Sequence, residues 1–156
     1  MVRIGIIGSG NTIGIAQNHI GAYKCCPDAV ITAVYDILDG RAQNYIDKFE
    51  LKDAKACASL EELFGLCDAV SICTPNCTHV DLSVQALKAG KHVLCEKPFA
   101  PSPQDCTEAI RCAKLTGKVA MIGLCYRDIP GFVYMKQLLD QGVMGRIFFV
   151  REEQGG

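Results

Sequence analysis

The chain has 156 residues, 49% of them hydrophobic, and its 16 basic and 17 acidic side chains leave a formal net charge of -1. That length suits one domain with a full core. The charge balance excludes a broad basic field for nucleic acid and a polybasic membrane patch, which leaves small-molecule chemistry as the expectation. No apolar run approaches the roughly 18 residues of a membrane span. The first apolar run begins at Val2, with no room ahead of it for a leader, so the chain is expected in the cytoplasm.

Apolar runs and amphipathic stretches alternate along the chain, as parallel strands joined by crossover helices do. The first run, residues 2–7, leads into Gly8-Ser9-Gly10-Asn11-Thr12-Ile13-Gly14, a glycine-rich turn, and a helix is expected near 12–24. A second strand over 29–36 ends on Asp36, twenty-two residues after Gly14. Strand, glycine turn, helix and strand-end acid at this spacing form a dinucleotide pocket. Gly8 makes the tight turn, Gly10 lets the main chain approach a pyrophosphate, and the helix start directs free N–H groups at it. Asp36 is placed to accept hydrogen bonds from the adenosine ribose. It would repel a 2′-phosphate, so NAD is expected in preference to NADP. The third glycine falls one place late, with Ile13 where the usual spacing puts glycine.

Helices are expected near 39–49, 59–65, 77–89 and 102–116, alternating with strands at 55–57, 69–74, 91–95 and 118–125. Ser59 followed by Glu62 has the form of a capping box, and Gly90 and Gly117 close the fourth and fifth helices. The fold class is α/β: a Rossmann doubly wound parallel sheet over 1–125, with the cofactor at the carboxyl ends of its strands. After residue 125 the pattern changes to a helix near 131–141, a Gly142 stop and the apolar run Ile147-Phe148-Phe149-Val150. That run looks like a strand without a sheet. It is either a seventh edge strand or the first strand of a second, α+β domain of which residues 126–156 hold only the start. A homodimer through this strand is one way to cover it.

The ten cysteines contain no C-x-x-C pair. Cys73, Cys95 and Cys125 end apolar runs, and Cys67, Cys106 and Cys112 lie in or beside helical stretches, so they are read as buried thiols with no metal site.

Thr74-Pro75-Asn76 with His79 follows the fourth strand, and Gly90-Lys91-His92-Val93-Leu94-Cys95-Glu96-Lys97-Pro98 covers the fifth. With the glycine turn, Tyr126-Arg127 and the stretch from Leu138 to Ile147, these residues strongly resemble the glucose-fructose oxidoreductase and inositol dehydrogenase family, Gfo/Idh/MocA. The resemblance runs over essentially the whole chain. It implies an NAD(P)-binding Rossmann domain followed by an open sheet domain, and oxidation or reduction of sugars, polyols and related carbonyl compounds.

By that resemblance Lys97 is the catalytic, substrate-positioning lysine, Glu96 contacts the nicotinamide-side ribose, and Pro98 follows a cis peptide. Thr74, Pro75, Asn76 and His79 lie near the cofactor, and Arg127 near the cofactor and substrate. On their own terms Pro75 and Asn76 serve equally as a helix start, His79 as a partner of a local carbonyl, and Arg127 in a surface ion pair. His19 and His92 read as structural. The family generally supplies an acid-base Asp and His from its second domain, and no histidine follows His92 here. Cofactor binding with weak or no turnover by these residues alone is therefore the expectation, with a standalone nucleotide-binding or sensing module as the alternative. A methyltransferase-like domain shares the glycine turn and acid, but not the Glu-Lys-Pro and Thr-Pro-Asn segments.

Overall fold

The computed structural model describes residues 1–10 and 14–153. Asn11, Thr12 and Ile13, assigned above to cofactor binding, lie outside the described residues. The chain divides into two compact units, Met1–Gly123 and Leu124–Gly156.

The first unit alternates β1 (Val2–Ile7), α1 (Ile15–Lys24), β2 (Ala29–Tyr35), α2 (Arg41–Lys48), β3 (Lys55–Ala56), α3 (Leu60–Leu66), β4 (Ala69–Ile72), α4 (His79–Lys88), β5 (His92–Cys95), α5 (Thr107–Thr116) and β6 (Ala120–Ile122). All neighbouring strands pair in parallel, in the order β3-β2-β1-β4-β5-β6. This is the doubly wound order of a dinucleotide-binding sheet, and the chain reverses its winding between β1 and β4.

Helices cover both faces, and the pleat sorts the side chains between them. Ile4 and Ile6 of β1 pack with Ala16 and Ile20 of α1 and with Ala42, Tyr45 and Ile46 of α2. Ile7 faces the other layer with Leu63 and Cys67 of α3, Val70 and Ile72 of β4, and Ala86 and Leu87 of α4. Gly5 permits close approach of α3 to the sheet, since a Cβ there would sit 2.7 Å from Leu63 Cδ2. Ser59 caps α3 by accepting the Glu62 N–H at 3.1 Å, while Glu62 reaches back to the Ala58 N–H at 2.8 Å. The capping box thus forms with its return bond one residue further out than expected.

Two sequence expectations need correction. The sixth strand, expected over 118–125, spans only Ala120–Ile122, because β5 is its sole partner and their register ends at Cys95↔Ile122. Cys125 therefore ends no strand and is exposed rather than buried; it opens a 3-10 turn, Cys125–Asp128, in the second unit. That unit continues with α6 (Pro130–Asp140), started by Pro130. Residues 147–150, expected as a strand, have no strand pairing, and Phe148 and Phe149 are exposed. Strand composition alone does not make a strand: among the described residues of this unit, no backbone offers a ladder. No described helix is long and apolar enough to cross a membrane.

Candidate functional site

The winding reversal opens a crevice beyond the carboxyl ends of β1 and β4, and the chain places its glycine turn there. Gly8 has φ +85° and donates its N–H to the Tyr35 carbonyl at 2.9 Å. A Cβ on Gly8 would lie 2.7 Å from Thr74 Cγ2 and 3.1 Å from the backbone after β4. The turn must therefore be glycine to pass the β4–α4 loop. Gly10, at φ +68°, has open space where a Cβ would stand, which suits close approach by a ligand. Gly14 begins α1 in the left-handed region; the Gln17 N–H donates to the Gly14 carbonyl at 3.1 Å, and among the described residues no side chain caps the helix, which leaves the N–H groups before Gln17 as its open donors.

Asp36 closes this side of the crevice. Its Oδ2 accepts the Ser9 N–H at 3.0 Å and the Ser9 hydroxyl at 2.6 Å, and its Oδ1 accepts the Leu38 N–H at 3.0 Å. The side chain is only 5% exposed, and Arg41 Nη1 stands 4.0 Å from Oδ1. In the structure, the acid that the sequence assigned to the ribose fixes the turn. Ser9 is buried and spends its hydroxyl on Asp36, so its side chain has no hydrogen left for a ligand. Arg41 was missed by sequence reasoning; its only signal was a cation opening the helix after the acid.

Across the crevice, Glu96-Lys97-Pro98 follows β5, with a cis Lys97–Pro98 bond as the resemblance implied. Lys97 is exposed, and among the described residues no carboxylate pairs with it. Its N–H donates to Glu96 Oε2 at 3.2 Å. Pro75 and Asn76 are exposed at the start of a 3-10 turn, Asn76–Thr78, which runs into α4. The Thr74 and Thr78 hydroxyls share a hydrogen bond at 2.7 Å.

Of the two readings left open for His79, near the cofactor or bonded to a local carbonyl, the structure shows the carbonyl contacts. His79 is buried, with Nδ1 2.8 Å from the Pro98 carbonyl and Nε2 2.8 Å from the Thr74 carbonyl. Each ring nitrogen lies against a carbonyl of one crevice loop, so neither is open to a ligand, and a ring N–H ties His79 to the carbonyl it faces. Arg127 lies exposed in the second unit, in the turn before α6.

His19, read from sequence as structural, is joined to Glu96. Its Nε2 lies 2.7 Å from Glu96 Oε1 and its Nδ1 lies 3.2 Å from Ser71 Oγ, which in turn is 2.7 Å from the Tyr23 hydroxyl. The network runs from α1 through the middle of β4 to the end of β5. Its faint sequence signals were His19 and Tyr23 one helical turn apart and a serine inside the apolar run of β4. Gly123 makes room for the carboxylate, since a Cβ there would lie 3.3 Å from Glu96 Oε1. A cavity of about 410 Å³ lies at the amino end of β2, and one of about 630 Å³ runs along α5 and β6 as far as Phe99 and Ile122.

The buried thiols border the same core. Burial pushes Cys67 up to about 11 and Cys95 up to about 12, and raises Cys73 further still. All ten cysteines are free.

Known proteins are similar to this chain in sequence and fold. Inositol 2-dehydrogenase of Salmonella typhimurium is 35% identical over 153 residues, covering 96% of this chain and 43% of its own length. Glucose-6-phosphate 3-dehydrogenase of Bacillus subtilis is 31% identical over 151 residues, covering 97% of this chain and 41% of its own. The crystal structure of the WlbA dehydrogenase from Bordetella pertussis, in complex with NADH and UDP-GlcNAcA, superposes with a TM-score of 0.84 at 27% identity. That match covers 94% of this chain and 42% of the other. The chain therefore spans less than half the length of the relatives it matches. Residues 2–124 match the model of the Gfo/Idh/MocA oxidoreductase family, described as its NAD-binding Rossmann fold. On that match the chain belongs to the Gfo/Idh/MocA oxidoreductases and carries their NAD-binding Rossmann fold.

Proposed function

We propose that this chain is the coenzyme-binding part of a cytoplasmic oxidoreductase that takes NAD in preference to NADP and acts on a sugar, a polyol or a related carbonyl compound. The observation that carries it is the joining of Ser9 to Asp36 through two hydrogen bonds, which sets the glycine turn and the acid side by side at the winding reversal. Gly8, Gly10 and the uncapped start of α1 suit a pyrophosphate. Oδ1 of Asp36 keeps a lone pair for a ribose hydroxyl. Bound there, the coenzyme supplies hydride acceptance or donation at its nicotinamide ring.

Thr74, Pro75 and Asn76 border the nicotinamide half on one side and Glu96 on the other, with Glu96 accepting from a ribose hydroxyl. Lys97, exposed and without a carboxylate partner among the described residues, orients the substrate hydroxyl and favours its developing negative charge. Oxidation also needs a base for the hydroxyl proton. Residues 126–156 are the beginning of the substrate domain, and Arg127 stands near the substrate in the complete enzyme. Lys97 limits the alternative of a sensing module without chemistry: among the described residues it has no carboxylate partner, and Glu96 and Pro98 flank it as the family resemblance implies.

Incubating the purified chain with NAD and a panel of polyols, and following NADH absorbance, tests the division of labour. Binding of NADH without turnover is expected; full turnover would refute a substrate domain beyond these residues. The exposed run from Ile147 to Val150 supports self-association in this form, although it is not a strand. Light scattering should then report a dimer that Phe148→Ser with Phe149→Ser returns to monomer, and a wild-type monomer would remove the idea.

A further inference from the structure

The hydrogen bonds around His19 have only one arrangement in which every group is satisfied with a neutral ring. An ionised Glu96 only accepts, so His19 Nε2 carries the hydrogen donated to Oε1. Nδ1 is then bare and accepts the Ser71 hydroxyl hydrogen. Ser71, its one hydrogen spent, accepts from Tyr23, whose hydroxyl is kept protonated because burial raises its pKa. The chain Tyr23→Ser71→His19→Glu96 is polarised toward the carboxylate from end to end. It is nearly dry, with Ser71 fully buried and the His19 and Glu96 side chains 10% and 13% exposed.

We infer that His19 is a positioning residue: it fixes the rotamer of Glu96 at the nicotinamide end of the crevice and ties it to α1, the helix whose start faces the pyrophosphate. The inference rests on the coenzyme reading above. Glu96 Oε1 is held by His19 and Oε2 by the Lys97 N–H, so the carboxylate plane is set by two donors before any ribose arrives. Without His19, Glu96 is free to turn toward solvent or toward the nearby Lys97 ammonium, and the coenzyme must then order it on binding. The effect is confined to one half of the ligand, because Glu96 stands 60 residues from Asp36 in sequence and across the β1–β4 reversal from it.

Affinities of the wild type, His19→Leu and His19→Gln for NADH and for ADP test this, since ADP reports the adenosine and phosphate subsites alone. His19→Leu should weaken NADH about tenfold and leave ADP within about twofold. His19→Gln, whose amide Nε2 is as many bonds from Cβ as the imidazole Nε2, should recover most of the loss. Equal weakening of NADH and ADP would mean that His19 merely supports α1, and an unchanged NADH affinity would mean that it does not position Glu96. Either result overturns the inference while leaving the coenzyme reading intact, whereas a wild type that binds neither ligand removes both. A ligand-free measurement covers variants that fail to fold: the nitrogen NMR shifts of wild-type His19 should show a hydrogen on Nε2 and none on Nδ1, and a hydrogen on Nδ1, with or without one on Nε2, contradicts the polarised chain.

Discussion

Replacing Asp36 by alanine should move coenzyme choice toward NADP, and the structure bounds by how much. A 2′-phosphate seated beside the Asp36 carboxylate meets a like charge; at about 4 Å and an effective dielectric near 20, one pair of unit charges repels by about 4 kcal/mol. Arg41, with Nη1 4.0 Å from Oδ1, offsets part of that repulsion and becomes a partner for the phosphate once the acid is gone. A net change of about 2–3 kcal/mol corresponds to a shift of about 30- to 150-fold in the ratio of NAD to NADP affinity. The alanine also removes three hydrogen bonds to Ser9 and Leu38, which loosens the turn. That damage weakens both coenzymes alike and cancels in the ratio. Calorimetric Kd values for NAD and NADP, with the wild type, Asp36→Ala and Asp36→Ala with Arg41→Ala, supply the numbers. The second substitution should take back NADP affinity more than NAD affinity. A ratio that moves by less than about threefold, or a wild type that already prefers NADP, would refute the electrostatic account of Asp36.

Gly8→Ala should abolish measurable coenzyme binding and lower stability by about 1–3 kcal/mol, because its Cβ meets Thr74 Cγ2 at 2.7 Å from a backbone at φ +85°; denaturant unfolding measures the stability change. Under native conditions a thiol reagent should label the exposed Cys25, Cys26, Cys77 and Cys125 quickly and the buried Cys67, Cys73 and Cys95 only on unfolding, as peptide mapping by mass spectrometry would reveal. The Arg3 side chain and N–H hold the Asp68 carboxyl down at about 2, so its contribution to stability is present above the ordinary carboxylate range and is lost as pH falls toward 2. Asp68→Asn should therefore shrink the drop in melting temperature between pH 4 and pH 2, by only about 1–2 °C because both partners face water.

What the sequence made legible follows from where the chain is buried. Strands β1, β2, β4 and β5 are covered by neighbours on both sides, so they read as near-continuous apolar runs, ended by Gly8, Asp36, Thr74-Pro75 and Glu96. The errors lie where an apolar residue has no such neighbour. Val119, Leu124 and Cys125 extended the sixth strand on paper, but an edge strand ends where its single partner ends. Phe148 and Phe149 had strand composition and no ladder to join.

At the site, the glycine turn and Asp36 were legible as local patterns at strand ends, and Glu96-Lys97-Pro98 stood out through the family resemblance. The partners of these residues were not. A serine hydroxyl beside a glycine turn suits a ligand or a carboxylate equally well, and only the fold brings Ser9 to Asp36. His79 left two readings open, and each of its nitrogens lies against a carbonyl of one crevice loop. The His19–Glu96 contact joins residues 77 positions apart, which no local pattern encodes.

The central claim is that an adenosine diphosphate half lies across the β1–α1 turn against Asp36. Calorimetric titration of the purified chain with NADH, ADP and S-adenosylmethionine tests it most directly. The account predicts saturable binding of NADH and, more weakly, of ADP, with no heat from S-adenosylmethionine. Tight S-adenosylmethionine binding, or no binding of either nicotinamide coenzyme or ADP, would contradict it.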